Sequence, residues 1–246
     1  LGYLSETIDM RRRARRNSAA WQPHLDATRQ FVLSSEKRCP GKDKVVILGS
    51  GLLLDLPLAE LSTMFREIVL KDVICLPRIR NELKKYPNAT FEEHDVTGIA
   101  ERLYRNGLHG VLELPEPLDR RPADEQDADL VVSLNILSQL WVLPRAYVSQ
   151  RLRRIPPDQV DEWCAKITEA HYTSLRSLSG DVCLVADHAF VRSDGNKTVI
   201  GKGSTVGNLE LPEPDDSWSW NIAPLSSHSP DLSKELVVGA WHFPSA

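Results

Sequence analysis

The sequence lacks the signals of metal sites, disulfide frameworks and membrane spans. Only four of its 246 residues are cysteines, and they are widely spaced without a Cys-x-x-Cys pair. This spacing excludes a zinc ribbon and a thioredoxin-like redox site, and the chain shows no zinc, calcium or P-loop motif. Its longest apolar run is far too short for a bilayer, and residues 1–10 lack a signal-peptide core. We therefore expect a soluble, cytoplasmic protein that does not associate with membranes.

An excess of positive charge is also missing. The net charge of -4 and the isoelectric point of about 6.0 provide no overall attraction to nucleic acid. The one dense basic cluster is Arg11–Arg16, which reads RRRARR. It is typical of a solvated helical turn, and a local contact with an anion or RNA is the alternative. A nucleic-acid partner is therefore expected only through this cluster, and the sequence indicates no oligomeric state.

Short apolar segments alternate with helical segments from residue 44 onwards. The apolar segments predict buried strands at residues 44–48, 68–70, 89–94, 130–134 and 182–186. Strands that alternate with helices predict an α/β fold with a mainly parallel sheet. The length and the 41% apolar content suit a single domain, residues 1–246. Residues from about 1 to 40 form its helical extension, in which Trp21 and its neighbours are expected to cover a pocket.

The C-terminal part of the sequence has a different character. Two further strand candidates lie at residues 198–200 and 235–241, with no clear helix between them. They are therefore expected to form an antiparallel pair. The segment between them, residues 211–229, is rich in proline, serine, aspartate and tryptophan and is interpreted as a loop. Trp218 in that loop is expected to act as an anchor or as part of a lid.

Polar or glycine residues follow each of the first three strands. The turn Gly49-Ser50-Gly51 follows the first strand, where backbone can approach a ligand closely. Asp72 ends the second strand, where a carboxylate can accept hydrogen bonds from ribose hydroxyls. Asp95 follows the third strand and is placed to accept from an adenine amino group, with Val96 packed on the ring. The carboxyl ends of parallel strands share one edge of a sheet, so these groups predict a nucleotide site.

These segments resemble four motifs of the class I S-adenosylmethionine (SAM)-dependent methyltransferases. Residues 45–51 resemble the first motif, residues 68–72 the second, residues 93–96 the third and residues 129–135 the fourth. The resemblance implies a Rossmann-like three-layer sandwich whose seven-stranded sheet has the order 3-2-1-4-5-7-6 and ends in an antiparallel C-terminal strand pair. It also implies SAM as the cofactor, contacted by Gly49, Ser50, Gly51, Asp72, Val73, Asp95, Val96 and Asn135.

The sequence departs from the family pattern at two positions. The family commonly has an acidic residue two positions before the first glycine, where this chain has Ile47. It often has a third glycine, where this chain has Leu53. Asp55 is a candidate for replacing the missing negative charge. The rival interpretation, a dinucleotide dehydrogenase, requires glycine at the position of Leu54 and gives no role to Asp95.

Residues that follow the fourth and fifth strands are the candidates for contact with a methyl acceptor. Asn135 follows the fourth strand and His188 the fifth, so these two are the candidate catalytic residues. The sequence predicts a methyltransferase acting on a small molecule or an unidentified acceptor. A methyltransferase-like protein that binds SAM without catalysis is the first alternative. An RNA or protein methyltransferase that uses Arg11–Arg16 is the second.

Overall fold

A mixed β-sheet with helices on both faces forms the framework of the protein. A computed structural model describes residues 1–119, 121–224 and 232–245. The strands are β1 (Lys44–Leu48), β2 (Glu67–Asp72), β3 (Ala89–Glu93), β4 (Leu130–Leu134), β5 (Asp181–Asp194), β6 (Val199–Ser204), β7 (Asp216–Ala223) and β8 (Leu232–Phe243). The helices are α1 (Tyr3–Arg16), α2 (Ser18–Arg38), α3 (Leu58–Met64), α4 (Pro77–Leu83), α5 (Ala100–His109), α6 (Ala123–Gln126), α7 (Val142–Arg151) and α8 (Pro157–Arg176). The predicted α/β, Rossmann-like class is confirmed.

The strand order places a switch point between β1 and β4. The main path through the sheet is β3-β2-β1-β4-β5-β8-β7, in which β1 to β5 run parallel and β8 runs antiparallel to both of its neighbours, β5 and β7. This is the predicted order, with β8 and β7 as the last two strands. An additional strand, β6, pairs with the second half of β5, so the sheet has eight strands where seven were expected. Sheets of this topology bind ligands beyond the carboxyl ends of the strands at the switch point.

The C-terminal strands differ from their sequence-based assignment. Residues 199–204 do not pair with residues 235–241; they form a hairpin with β5, whose turn is held by Asp194 accepting from the backbone of Asn196 and Thr198. The antiparallel partner of β8 is β7, which was interpreted as a loop. In β7 the aromatic or apolar residues alternate with serine and asparagine, which is the two-residue repeat of a strand. The high content of serine and aspartate nevertheless made the segment look like a loop. Residues 225–229 of the predicted loop lie outside the described residues.

Two N-terminal helices precede the sheet. Helix α2 packs against it through Trp21, Phe31 and Val32, which are buried. The indole nitrogen of Trp21 donates a hydrogen bond to the carbonyl oxygen of Ile222 in β7, at 3.2 Å. Helix α1 has no fully buried residue. None of the helices in the described ranges is long and apolar enough to span a bilayer.

A cluster of buried charges lies beside β2 and β4. The ammonium of Lys71 is 3.1 Å from the carboxylate of Glu125 and also pairs with Asp124. The other carboxylate oxygen of Glu125 is 3.5 Å from the guanidinium of Arg121. Arg121 in turn contacts the ring of His171 at 2.6 Å. Because Lys71, Arg121 and Glu125 are almost completely buried, each of their charges depends on the others to offset its lost hydration.

Candidate functional site

A cavity of about 600 Å³ follows the carboxyl edge of the sheet from the end of β3 to β7. Its wall includes residues at or just after the ends of β1, β2, β3 and β4, residues from the middle of β5 and residues of β7 and β8. Neighbouring strands lie about 4.8 Å apart, so the cavity crosses roughly 29 Å of sheet edge. An elongated ligand can therefore contact successive strand ends.

The glycine turn after β1 forms part of this wall. Gly49 has a φ of 82°, and a Cβ atom there would overlap the side chain of Ile136. Gly51 has a φ of 49°, and the nearest atom to a Cβ there would be the carbonyl oxygen of Gly49, at 3.8 Å. Gly51 therefore faces open space in the cavity. Ser50 does not line the cavity, contrary to expectation: its side chain is fully buried, and its N–H donates to the carbonyl oxygen of Lys71 at 3.3 Å.

Asp72 lies beside the glycine turn at the end of β2. Its Oδ2 accepts a hydrogen bond from the N–H of Gly51, at 2.8 Å. Burial raises the pKa of Asp72, and hydrogen bonds from the backbone of Gly51, Ile74 and Val73 oppose that shift. Val73 also lines the cavity. The carboxylate that holds the turn is thus available to a ligand on its cavity side.

Asp95 has a structural role that its position alone did not reveal. Its Oδ1 accepts from the N–H and the hydroxyl of Thr97, at 3.0 and 2.6 Å, and its Oδ2 accepts from the N–H of Ala100 at 2.8 Å. It therefore caps the start of α5. Asp95 and Val96 still line the cavity, and Oδ2 retains acceptor capacity because a carboxylate oxygen accepts two hydrogen bonds.

Asn135 follows β4 with a φ of 53°, in the left-handed region. Its amide nitrogen donates to Asp55 at 2.7 Å, while its Oδ1 is buried and accepts no hydrogen bond within the described ranges. Both residues line the cavity, and burial raises the pKa of Asp55. An unsatisfied buried acceptor carries a free-energy cost that a donor on a ligand would remove. Leu53, at the position of the missing glycine, has a φ of 58°, so its backbone is strained.

His24 of α2 lines the cavity but was not singled out from the sequence. Its ring stacks on Trp220 with centroids 4.0 Å apart, and its Nδ1 accepts a hydrogen bond from the indole of Trp218 at 3.0 Å. Burial lowers its pKa to about 3, so the ring is neutral. Because Nδ1 accepts the hydrogen bond from Trp218, the ring proton lies on Nε2. Trp218 therefore acts as an anchor, but from strand β7 and not from a loop. A helical histidine gives no sequence signal that distinguishes this role.

The depressed pKa of His24 predicts a loss of stability in acid. Between about pH 6.5 and pH 3 the unfolded chain protonates this histidine and the folded protein does not. The free energy of unfolding should therefore fall as the pH drops through that window, by about 1.4 kcal/mol per pH unit from this group. Urea titrations at several pH values should show a shallower slope in His24→Gln.

The exposed His109→Gln substitution is the matched control for the pH measurement. Burial also lowers the pKa of His94, His171 and His242, so the overall slope contains other contributions. The informative quantity is therefore the difference between variant and wild type. Equal slopes in wild type and His24→Gln would contradict the assignment of a buried neutral ring.

His188, a predicted acceptor-site residue, does not line the cavity. Its ring packs edge-on against Trp241, with centroids 6.1 Å apart. A β-bulge between Asp187 and Ala189 interrupts the pairing of β5 with β8. Asp187 lines the cavity in its place and accepts a hydrogen bond from the hydroxyl of Ser138, at 2.7 Å. The lining of the cavity therefore gives no support to His188, whose catalytic role stays a prediction.

Helix α1 covers the end of the cavity near β2 and β3. Tyr3 lines the cavity, and its pKa is raised by burial and by the nearby carboxylates Asp95 and Asp72. The cover is therefore formed by α1 as well as by Trp21 of α2. Within the basic cluster Arg13 is partly buried, pairs with Glu6 at 2.5 Å and lines the cavity. The other arginines of the cluster are exposed.

The strand order and its switch point are those of the class I SAM-dependent methyltransferase fold that the sequence motifs predicted. No family model matches the sequence, and no curated protein matches it. Similar solved structures include a Burkholderia thailandensis 1,6-didemethyltoxoflavin-N1-methyltransferase with S-adenosylhomocysteine (SAH), at 11% identity over 97% of this chain and 89% of that chain, with a TM-score of 0.39. The DhpI–SAH complex is 16% identical over 95% and 94%, with a TM-score of 0.40. At these values neither protein assigns a ligand or a reaction to this chain.

Proposed function

We propose that the chain binds SAM in the cavity and transfers its methyl group to a small molecule. The observation that carries this proposal is the alignment of Gly51, Asp72 and Asn135 along one edge of the sheet, all facing one cavity. The resemblance of the four sequence motifs independently favours the same ligand. SAM would supply a methyl group on a positively charged sulfur.

The residues present fit such a ligand at each strand end. Gly51 leaves space for close approach beside the N–H groups of the turn, and Asp72 can accept from ribose hydroxyls. The remaining acceptor capacity of Asp95 suits an adenine amino group, with Val96 against the ring. The unsatisfied Oδ1 of Asn135 suits a donor at the methionine end. The carboxylates of Asp55, Asp72 and Asp95 favour a cationic ligand.

Substitution of Asp72 tests the ribose position. Asp72→Ala should weaken the binding of SAM and of SAH by about 1.5–3 kcal/mol, because it removes a charged hydrogen-bond acceptor. Calorimetric titration measures the change directly. Asp43→Ala is the matched control, because Asp43 precedes β1 at the opposite edge of the sheet and does not line the cavity. Equal affinity in Asp72→Ala and the control would contradict the placement.

A SAM-binding protein without catalysis is the second candidate function. Two observations favour it: Ile47 is fully buried in place of an acidic residue, and Leu53 is strained in place of a glycine. The chain would bind SAM under either candidate function, but only an enzyme would convert SAM to SAH in the presence of an acceptor. Mass spectrometry of SAH formed with a panel of small amines and hydroxy compounds separates the two.

A further inference from the structure

The cavity extends past the residues proposed to hold SAM. Beyond β4 its wall is formed by β5, β8 and β7, with Phe190, Trp220 and Leu236 as apolar surfaces. Asp72 ends β2 and Asp187 lies in the middle of β5, and these two strands are three places apart in the sheet, a separation of roughly 14 Å. The cavity therefore has room for a second small molecule beside the cofactor.

Asp187 is the buried carboxylate of this part of the cavity. It is 3% exposed, and one oxygen accepts from Ser138. Burial raises its pKa, and its hydrogen bonds with Ser138 and Thr205 and the charge of Lys234 oppose that shift. No lysine, arginine or histidine of the described ranges forms an ion pair with it. A buried carboxylate without a charged partner in a cleft is a recurrent property of functional sites.

Lys234 of β8 lines the same part of the cavity. Its ammonium lies 5.5 Å from the centre of the Phe190 ring, and no carboxylate of the described residues pairs with it. Burial and the nearby Arg192 lower its pKa, while Asp187 raises it. Asp187 and Lys234 therefore face one cavity with opposite charges and without pairing to each other. Two such groups can each bind a complementary group of a single molecule.

We propose that Asp187 accepts the proton of the nucleophilic group of the methyl acceptor and that Lys234 binds an acidic group of the same molecule. The acceptor is thus a small compound that carries an amino or hydroxyl group together with a carboxylate or phosphate. This inference rests on the proposed methyl transfer from SAM. Phe190 and Trp220 favour a flat body between the two polar groups.

The residues present account for each bond and proton of the proposed methyl transfer. The lone pair of the acceptor nitrogen or oxygen forms the new bond to the methyl carbon, and the carbon–sulfur bond breaks with its electron pair remaining on sulfur. The sulfonium thereby becomes a neutral thioether. The proton lost by the nucleophile passes to the carboxylate of Asp187, which then releases it to water. Ser138 orients the carboxylate through its hydrogen bond.

The test uses three small probes with the SAH-loaded protein. 3-Aminobenzoate carries both groups, aniline only the nucleophile and benzoate only the acid. We expect 3-aminobenzoate to bind at least about tenfold more tightly than either single-group probe. Lys234→Met should reduce its affinity to that of aniline, whereas the exposed Lys202→Met should leave it unchanged. Equal affinity of the three probes, or no binding of any of them, would overturn the proposal.

Asp187 requires its own readouts. Asp187→Asn should leave SAH affinity unchanged and slow methyl transfer to 3-aminobenzoate by about 10²–10⁴-fold, the range for general base catalysis. Glu235→Gln, on the exposed neighbour of Lys234, is the control. A transfer rate in Asp187→Asn equal to that of the control would overturn the role of Asp187. If SAH fails to bind the wild-type protein, the proposed function falls with this inference; if SAH binds and the probes do not discriminate, only this inference falls.

Discussion

Replacing Gly51 by valine is expected to abolish the binding of SAM and SAH while the protein remains folded. Gly51 has a φ of 49°, where a residue with a side chain is strained by about 1–2 kcal/mol. No atom would lie closer than 3.8 Å to the new Cβ, so that atom meets no obstacle within the protein. The valine methyl groups would instead fill the part of the cavity proposed for the cofactor.

Gly110→Val is the matched control for this variant. Gly110 ends α5 with a φ of 65°, and a Cβ there would have no neighbour within 4 Å. It carries the same backbone strain but does not line the cavity. Both variants should show similar decreases in thermal stability, and only Gly51→Val should lose the calorimetric signal. Normal SAH binding by Gly51→Val would show that the glycine turn has only a structural role.

Glu125→Gln is expected to lower the free energy of unfolding by about 3–5 kcal/mol. Glu125 is fully buried and contacts both Lys71 and Arg121. Neutralising it leaves Arg121 buried with no carboxylate partner among the described residues, since Asp124 pairs with Lys71. Urea denaturation monitored by circular dichroism gives the change directly.

The same chemical change at Glu101 provides the comparison. Glu101 is exposed on α5 and pairs with Arg105 one helical turn away. Exposed pairs of this kind contribute little, so Glu101→Gln should leave the unfolding curve almost unchanged. A decrease in Glu125→Gln no larger than in Glu101→Gln would show that the buried cluster tolerates an unpaired charge.

The part of the site formed by the ends of β1, β2 and β4 could be predicted from the sequence because it depends on local features. Buried parallel strands are recognisable as apolar runs, and their carboxyl ends meet at one edge whatever the details of packing. Gly49, Gly51, Asp72 and Asn135 therefore line one cavity as expected. Ser50 was misplaced because the turn directs its side chain into the protein.

The part of the site formed by β5, β7 and α2 depends on features that a sequence does not reveal. The bulge in β5 falls between Asp187 and Ala189, so the sequence does not reveal that Phe190, three residues after Asp187, faces the same cavity. The role of His24 depends on Trp218 and Trp220, which are almost 200 residues away in the chain. Strand β7 resembled a loop because serine and asparagine occupy one of its faces. Each of these features is fixed by tertiary packing.

Calorimetric titration of the wild-type protein with SAH tests the central claim, that the cavity at the carboxyl edge of the sheet is a SAM site. The account predicts saturable binding of one SAH per chain, competition with SAM, and loss of both in Gly51→Val but not in Gly110→Val. The absence of binding of both SAM and SAH to the folded protein would contradict it. Binding of a nicotinamide dinucleotide in their place would favour the dehydrogenase alternative.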